Sequence, residues 1–475
     1  MNKRIGITCL VILVSACLLI GIIAASGAGI YLWDKNNPQQ TITAAPTLTR
    51  PPNATSCPAD SCLAPTIGAT TVVVPTAELP LQITRSMDQI QKDVIEIRGL
   101  QPLTDIPRAL LTPEQLRQKV IDDFLSEYTP EDARQDAIVL SILGLLPPDF
   151  DLLTFYEELY NEQIAGYYDD ETKEMYVVSG SGFKGPEKMT FSHEFTHILQ
   201  DQNYDFENGL RLNDEACENE SERCAAVSAL IEGDASLTEY YWFFKFASND
   251  DRDDIQSFYD GFQSPVYDSA PEYMKSDFTF PYTAGQEFVQ VLHTQGGWPA
   301  VNNAFINPPV STEQIMHPDR YPGDTPILVD LPDLTSTLGE GWEQIESDVV
   351  GEWYTYLILA KGYVPETQLD DTVARDAAEG WGGDAFQVYH NTATNQTVLI
   401  MKTTWDTRQD AKEFYDTFKE YGDARWGSHD SIFAKTSWQT DEQYAVLQFD
   451  SSTTRLLISP DEQIINLIIQ NNPVN

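Results

Sequence analysis

The chain has few basic residues for its length. Its 475 residues include 29 Lys and Arg against 73 Asp and Glu, which gives a formal net charge of -44 at pH 7. The negative electrostatic field of such a chain repels phosphate groups, so nucleic acid and anionic lipid headgroups are poor partners. An excess of acidic residues is typical of an exported protein, in which the net charge maintains solubility.

Histidine is also scarce, with six residues in the chain, yet two of them fall in one His-Glu-x-x-His run at residues 193–197. A proline at Pro186, after a glycine-rich loop, predicts a helix from there to about Gln202. Residues four apart share one face of a helix, so His193 and His197 can both bind a single Zn²⁺. Glu194 then lies beside the metal, as in a zinc hydrolase.

The third ligand must come from outside this run. A metzincin would require Gly at the position of Gln200 and His at that of Asn203, and neither is present. Glu232 is the predicted ligand, because it interrupts an apolar helix of small residues, where an unpaired buried carboxylate is costly. Asp234 is the alternative, and Glu239, two turns beyond Glu232, can face the same side. Two His and one carboxylate leave a fourth zinc position for water.

These elements resemble the gluzincin branch of the zincin metallopeptidases over residues 163–236. Two strand-like segments around a polar turn predict a hairpin over 164–178, which matches the zincin edge strand that holds an extended peptide or protein substrate. The resemblance implies that His193, His197 and Glu232 bind Zn²⁺ and that Glu194 is the general base. Many gluzincins have Asp where this chain has Ser236. Asp201 or Asp234 is therefore expected to orient an imidazole.

The oxyanion that forms during amide hydrolysis needs a hydrogen-bond donor besides the metal. His317 is the predicted catalytic donor, because it lies in a Pro- and Gly-rich loop close to Arg320 and Tyr321. A surface histidine without a catalytic role is the alternative interpretation. Tyr282 is a second candidate for the same role.

The N-terminus predicts a membrane anchor. No charged residue occurs from Ile5 to Trp33, after two basic residues, so residues 1–33 can span a bilayer once with the body outside the cell. A signal peptide cleaved among residues 24–27 and a lipoprotein signal at Cys17 are the alternatives. Residues 34–80, rich in Pro and Thr, are interpreted as an extended spacer.

Four of the six cysteines follow the anchor and therefore lie in an oxidising compartment. We expect disulfide bonds Cys57–Cys62 and Cys217–Cys224. A four-cysteine zinc site is the alternative, but neither spacing is Cys-x-x-Cys.

The fold class predicted for the body is α+β. Residues 81–370 are expected to form a zincin-like domain that is mainly helical, with Thr112 and Thr129 as N-caps of two of its helices. Residues 371–475 are expected to form a small α+β domain. Its four predicted strands lie within 386–389, 397–403, 444–449 and 455–459, with a helix at 406–421.

The sequence therefore predicts a membrane-anchored, extracytoplasmic zinc peptidase. The competing hypothesis is a non-catalytic binding or scaffold protein that retains a peptidase fold, but such a protein has no need of Glu194. A zinc hydrolase acting on a non-peptide amide is a third possibility.

Overall fold

The computed structural model describes residues 79–105, 107–120, 128–163, 166–169, 173–178 and 182–472. The predicted anchor, the Cys57–Cys62 bridge and nearly all of the predicted spacer lie outside these residues. Within the described residues, no helix is both long and apolar enough to cross a membrane. The described body has a mixed α+β fold, as predicted.

Helices predominate in the first two thirds of the described chain. They are α1 Leu81–Arg98, α2 Pro113–Val120, α3 Pro130–Ile142, α4 Leu152–Gln163, α5 Gly185–Tyr204, α6 Asp214–Cys217, α7 Ser221–Lys245, α8 Asn249–Gly261, α9 Pro265–Asp268, α10 Glu272–Ile306 and α11 Thr312–Met316. The later helices are α12 Thr335–Leu338, α13 Gly351–Ala360, α14 Asp371–Ala378, α15 Arg408–Trp426 and α16 Glu462–Asn471, with a 3₁₀ turn at Pro365–Thr367. The strands are β1 Arg108–Leu111, β2 Gly166–Asp169, β3 Glu174–Val178, β4 Glu343–Asp348, β5 Trp381–Asn391, β6 Gln396–Trp405, β7 Asp430–Ile432, β8 Lys435–Gln439, β9 Tyr444–Asp450 and β10 Thr453–Ser459.

Both predicted threonine N-caps are confirmed. Thr129 accepts a hydrogen bond from the backbone of Asp132, and the Asp132 carboxylate accepts one from the backbone of Thr129, which forms a capping box at the start of α3. The Thr112 hydroxyl accepts from the backbone of Gln115 at the start of α2. Local sequence therefore specifies where these helices begin.

The centre of the helical part is the crossing of α7 with α10. The two helices approach so closely that a Cβ atom on Gly233 would lie 2.2 Å from the carbonyl carbon of Gly285. A Cβ atom on Gly285 would lie 2.0 Å from the carbonyl oxygen of Ala229. The small residues of α7 therefore allow this close approach, as the sequence predicted, and they fix the position of the neighbouring residue, Glu232.

The predicted hairpin is confirmed. Strands β2 and β3 pair antiparallel, from Gly166 opposite Val177 to Asp169 opposite Glu174, and β1 pairs parallel to β3 on the other side. The sheet order is β1-β3-β2, so β2 is an edge strand. Helix α5 follows the hairpin and packs against it.

The C-terminal part is an antiparallel sheet of seven strands in the order β4-β5-β6-β10-β9-β8-β7. Along β6, Leu399 and Met401 face the large core that includes α15, whereas Val398 and Ile400 pack with α16. This period of two places one helix on each face of the sheet. The sheet reaches back to β4 at Glu343, before the boundary predicted at residue 371, because β4 pairs with β5 across the intervening helices.

The predicted Cys217–Cys224 disulfide is confirmed. It joins the short helix α6 to the first turn of α7, and both cysteines are buried. The bridge therefore holds the loop that leads into the helix carrying Glu232.

Candidate metal centre

The two histidines of the predicted motif lie well inside α5. This helix begins at Gly185, close to the predicted start at Pro186, and the Glu187 carboxylate accepts a hydrogen bond from the backbone of Lys184 at its N-terminus. His193, Glu194 and His197 are all buried. A helix that buries three such polar groups together requires partners for them from neighbouring elements.

Helix α7 supplies the third predicted ligand. Glu232 Oε2 lies 3.1 Å from His193 Nε2 and 3.4 Å from His197 Nε2. The three side chains form a buried group whose potential ligand atoms all lie within 4.8 Å of one another. The structure therefore brings His193, His197 and Glu232 together, although they are up to 39 positions apart in sequence.

Each imidazole has a hydrogen-bond partner on its outer nitrogen. His193 Nδ1 lies 3.0 Å from Glu239 Oε2, and His197 Nδ1 lies 2.9 Å from Gln200 Oε1. The Gln200 amide nitrogen donates to the Ile231 carbonyl oxygen at 3.0 Å, so its oxygen is the atom that faces His197. The Gln200 oxygen accepts, so Nδ1 of a neutral His197 carries the proton and its Nε2 exposes a lone pair. A neutral His193 has the same arrangement when Glu239 is ionised, although burial raises the pKa of Glu239.

When both imidazoles are neutral, three lone pairs converge on one point, and the repulsion is relieved either by a proton on His193 Nε2 shared with Glu232 or by a cation bound between the three groups. The two Nε2–Oε2 distances also match a metal site. For bond lengths of about 2.0–2.1 Å and tetrahedral angles, ligand atoms around Zn²⁺ are separated by about 3.3 Å. The separations in this cluster are 3.1 and 3.4 Å. The residues present therefore fit a zinc ion with two His ligands and one Glu ligand.

The charges of the cluster also favour a cation. Burial opposes the charged form of His193, but its hydrogen bonds to Glu232 and Glu239 outweigh burial and raise its pKa to about 10. Burial likewise opposes ionisation of Glu232, but the two histidines hold its pKa at about 2. The Glu232 carboxylate therefore stabilises positive charge at the point where the two Nε2 atoms meet.

Glu194 has one oxygen engaged and one available. Its Oε2 accepts a hydrogen bond of 2.9 Å from the backbone N–H of Tyr168, on the side of β2 that does not pair with β3. Its Oε1 is buried and has no hydrogen-bond partner among the described residues. Burial raises the pKa of Glu194 to about 7, although both histidines act against this shift. A carboxyl group with this pKa can take up and release a proton near neutral pH.

The structure does not place His317 with these residues. Its Nε2 lies 2.8 Å from Glu352 Oε1 on α13, in a separate ion-pair cluster. His317 directly follows α11, whose first residue, Thr312, bonds to Glu222. Glu222 precedes Glu232 on α7 by roughly 15 Å of helix. Tyr282 of α10 is buried close to the histidines, with its ring centre 6.2 Å from that of His193.

The expected partners of the imidazoles are corrected in part. Asp201 contacts neither ring, because it binds the hydroxyl of Tyr168 and the ammonium of Lys173 and so ties α5 to the hairpin. Asp234 bonds to Gln200 rather than to an imidazole: it accepts a hydrogen bond of 2.8 Å from the Gln200 amide nitrogen. Sequence analysis missed Gln200 as a partner, although its spacing of three from His197 places both on one helix face.

A small cavity of about 20 Å³, partly open to solvent, lies next to Glu239. It is bounded by α5, α7 and α8, and most of its surface is apolar. The residues lining it include Met189, Thr190, Glu239, Ile255, Phe258 and Tyr259.

A second acidic group does not require a metal ion. Carboxylate oxygens of Glu313, Asp324 and Asp406 lie within 4.8 Å of one another. The guanidinium of Arg320 lies among them, bonded to Glu313 and 3.0 Å from Asp406. A protein cation therefore already neutralises part of this charge.

A family model described as a domain of unknown function (DUF8575) matches residues 337–468. The match covers the seven-stranded sheet and most of α16, and it begins after every residue of the candidate metal centre. No curated protein and no solved structure matches the chain. Inference about chemistry therefore depends on the geometry of the cluster itself.

Proposed function

We propose that this protein is a zinc-dependent peptidase of gluzincin type, held in the cell membrane by its N-terminal segment with the catalytic body outside the cell. The observation that carries the proposal is the convergence of His193 Nε2, His197 Nε2 and Glu232 Oε2 within a buried cluster. Two imidazole Nε2 atoms and one carboxylate oxygen directed at one point are the donor set of a catalytic zinc site.

When bound, Zn²⁺ would lower the pKa of a coordinated water towards about 7 and polarise the substrate carbonyl. Glu194 is the general base: its Oε1, which has no hydrogen-bond partner among the described residues, takes a proton from the attacking water. The same carboxyl group then returns the proton to the departing amine. Tyr282 is our candidate donor to the oxyanion, in place of His317, because its ring lies next to that of His193.

The edge strand supports a peptide as the substrate. Among the described strands β2 pairs with β3 alone, and its other side reaches Glu194 through the Tyr168 N–H. An extended peptide that added to this edge would pass beside the general base, with its backbone held by main-chain hydrogen bonds. The long acidic body and the charge-free run of residues 5–33 are consistent with work at an outer membrane surface.

The test uses the full chain purified in detergent. Bound metal is measured by elemental analysis, and cleavage of an unstructured protein is followed with and without a chelator. We expect one zinc per chain, and loss of cleavage in Glu194→Gln with the zinc retained. The matched control is Glu207→Gln, an exposed carboxylate just beyond the same helix, which should cleave normally.

The other outcomes separate the competing functions. Zinc binding without cleavage of any peptide, but with Glu194-dependent hydrolysis of a non-peptide amide, would favour the third hypothesis. Zinc binding without any hydrolysis, or no zinc at all, would favour the non-catalytic binding or scaffold protein.

A further inference from the structure

Arg98 is a buried charge that the proposed chemistry does not use. It is the last residue of α1, the first described helix, and its relative exposure is 0%. Its Nε donates to Asp234 at 2.7 Å from Oδ1 and 3.0 Å from Oδ2, and its Nη1 donates to Asn302 Oδ1 at 2.6 Å. The guanidinium also stacks 4.6 Å from the ring centre of Trp298. Arg98 therefore joins α1 to α7 and α10 in the interior.

Asp234 connects Arg98 to Gln200. The carboxylate held by Arg98 accepts a second bond, of 2.8 Å, from the Gln200 amide nitrogen. That nitrogen has two hydrogens, and the Ile231 carbonyl oxygen accepts the other at 3.0 Å. Two acceptors fix the plane of the amide, so its oxygen is held at 2.9 Å from His197 Nδ1.

The arginine is needed because Asp234 is wholly buried. A buried carboxylate without a cation is strongly unfavourable, and removal of one partner of a buried ion pair disturbs the other. Without the guanidinium, both oxygens of Asp234 would lose the group that fixes their position, and Gln200 would keep one well-placed acceptor out of two. The orientation of the His197 ring would then be less sharply defined.

We propose that Arg98 is a positioning residue of the metal centre, acting on His197 through Asp234 and Gln200. This inference rests on the proposed zinc function. Helix α1, which follows the predicted spacer, therefore contributes to the metal centre through the buried side chain of its last residue, Arg98. Proteolytic removal of α1 would therefore remove Arg98 and weaken metal binding.

The test measures the zinc dissociation constant of the full chain in detergent, by competition with a chromogenic chelator, beside the melting temperature of the metal-free protein. Arg98→Met should weaken zinc binding about tenfold, at the low end for residues that support a ligand indirectly. Arg98→Lys should give a smaller loss, because one ammonium cannot hold both Asp234 oxygens and Asn302. Arg455→Met is the control, since Arg455 is also buried but bonds to Gln448 and Asn472 in the C-terminal sheet. It should lower the melting temperature and leave zinc affinity unchanged.

The double variant Arg98→Met with Asp234→Leu separates positioning from stability. Replacing both members of a buried ion pair by apolar residues restores stability in many proteins. We expect it to recover the melting temperature lost in Arg98→Met, while zinc binding stays weak because Gln200 still lacks its second acceptor.

Wild-type zinc affinity in Arg98→Met, or recovery of affinity in the double variant, would overturn the inference. If Arg98→Met does not fold, wild-type affinity in Arg98→Lys would overturn it, and a several-fold loss would support it. Failure of the wild-type chain to bind zinc would instead contradict the proposed function, so the two failures are distinguishable.

Discussion

Glu222 offers a prediction that does not depend on metal. It lies in the first turn of α7, where its Oε1 accepts from the backbone N–H of Thr312 at 2.6 Å and from its hydroxyl at 2.7 Å. Burial, opposed by these hydrogen bonds and reinforced by the charges of Asp384 and Asp348, raises the pKa of Glu222 to about 8. The folded protein therefore keeps this carboxyl group protonated in neutral solution.

The pH dependence of stability follows from this shift. Between its ordinary pKa of 4.5 and about 8, Glu222 is protonated in the folded state and ionised in the unfolded state. Because the folded state binds more protons, the free energy of unfolding falls as pH rises through this window and is constant above it. A shift of this size corresponds to at most about 5 kcal/mol. Asp348, with its pKa raised to about 7 mainly by burial, acts in the same direction over a shorter range.

Glu222→Gln is the test. The amide cannot ionise, and its oxygen can still accept both hydrogen bonds from Thr312. We expect the variant and the wild type to melt at similar temperatures near pH 5. At pH 8 the variant should melt several degrees higher, because it has no proton to lose. Melting is followed by circular dichroism with a chelator present, and Glu366→Gln, an exposed carboxylate, is the control.

Parallel profiles of melting temperature against pH for the variant and the wild type would refute this reasoning. A variant that is less stable at every pH would show that the ionised carboxylate, rather than the neutral acid, is the form that folding requires.

Three further predictions concern the metal centre. Gln200→Leu should weaken zinc binding about 10- to 100-fold in a chelator competition, since His197 loses the acceptor on its outer nitrogen; an unchanged dissociation constant would contradict that role. In steady-state assays, His317→Ala should change kcat less than about threefold, whereas Tyr282→Phe should lower kcat about 100-fold with zinc retained. The reverse pattern would restore His317 as the oxyanion donor. Gly233→Val should lower both the zinc content and the melting temperature measured by circular dichroism, because its Cβ would lie 2.2 Å from Gly285. Normal zinc content and a normal melting temperature would show that the helix crossing does not position Glu232.

Near the candidate metal centre, the sequence predicted those helices and strands whose ends are set by residues close to them in the chain. The helix of residues 185–204, the hairpin before it and the two threonine caps follow from proline, turn and capping chemistry within a few residues. Glu232 was predicted because a single carboxylate in an apolar, small-residue helix needs a partner in the interior. The start of the C-terminal sheet was missed, since β4 pairs with a strand more than 30 residues later.

The sequence by itself determined the residue types of the proposed metal centre and the spacing of His193, Glu194 and His197 on α5, because residues four apart in a helix face one side whatever surrounds them. Tertiary structure alone decided which further groups surround the proposed ligands. Packing of α1 and α7 against α5 brings Arg98, Asp234 and Gln200 into one hydrogen-bonded chain behind His197. The same packing pairs His317 with Glu352 in a separate cluster. Such contacts depend on how helix faces meet in the interior, and no local periodicity in the sequence encodes that choice.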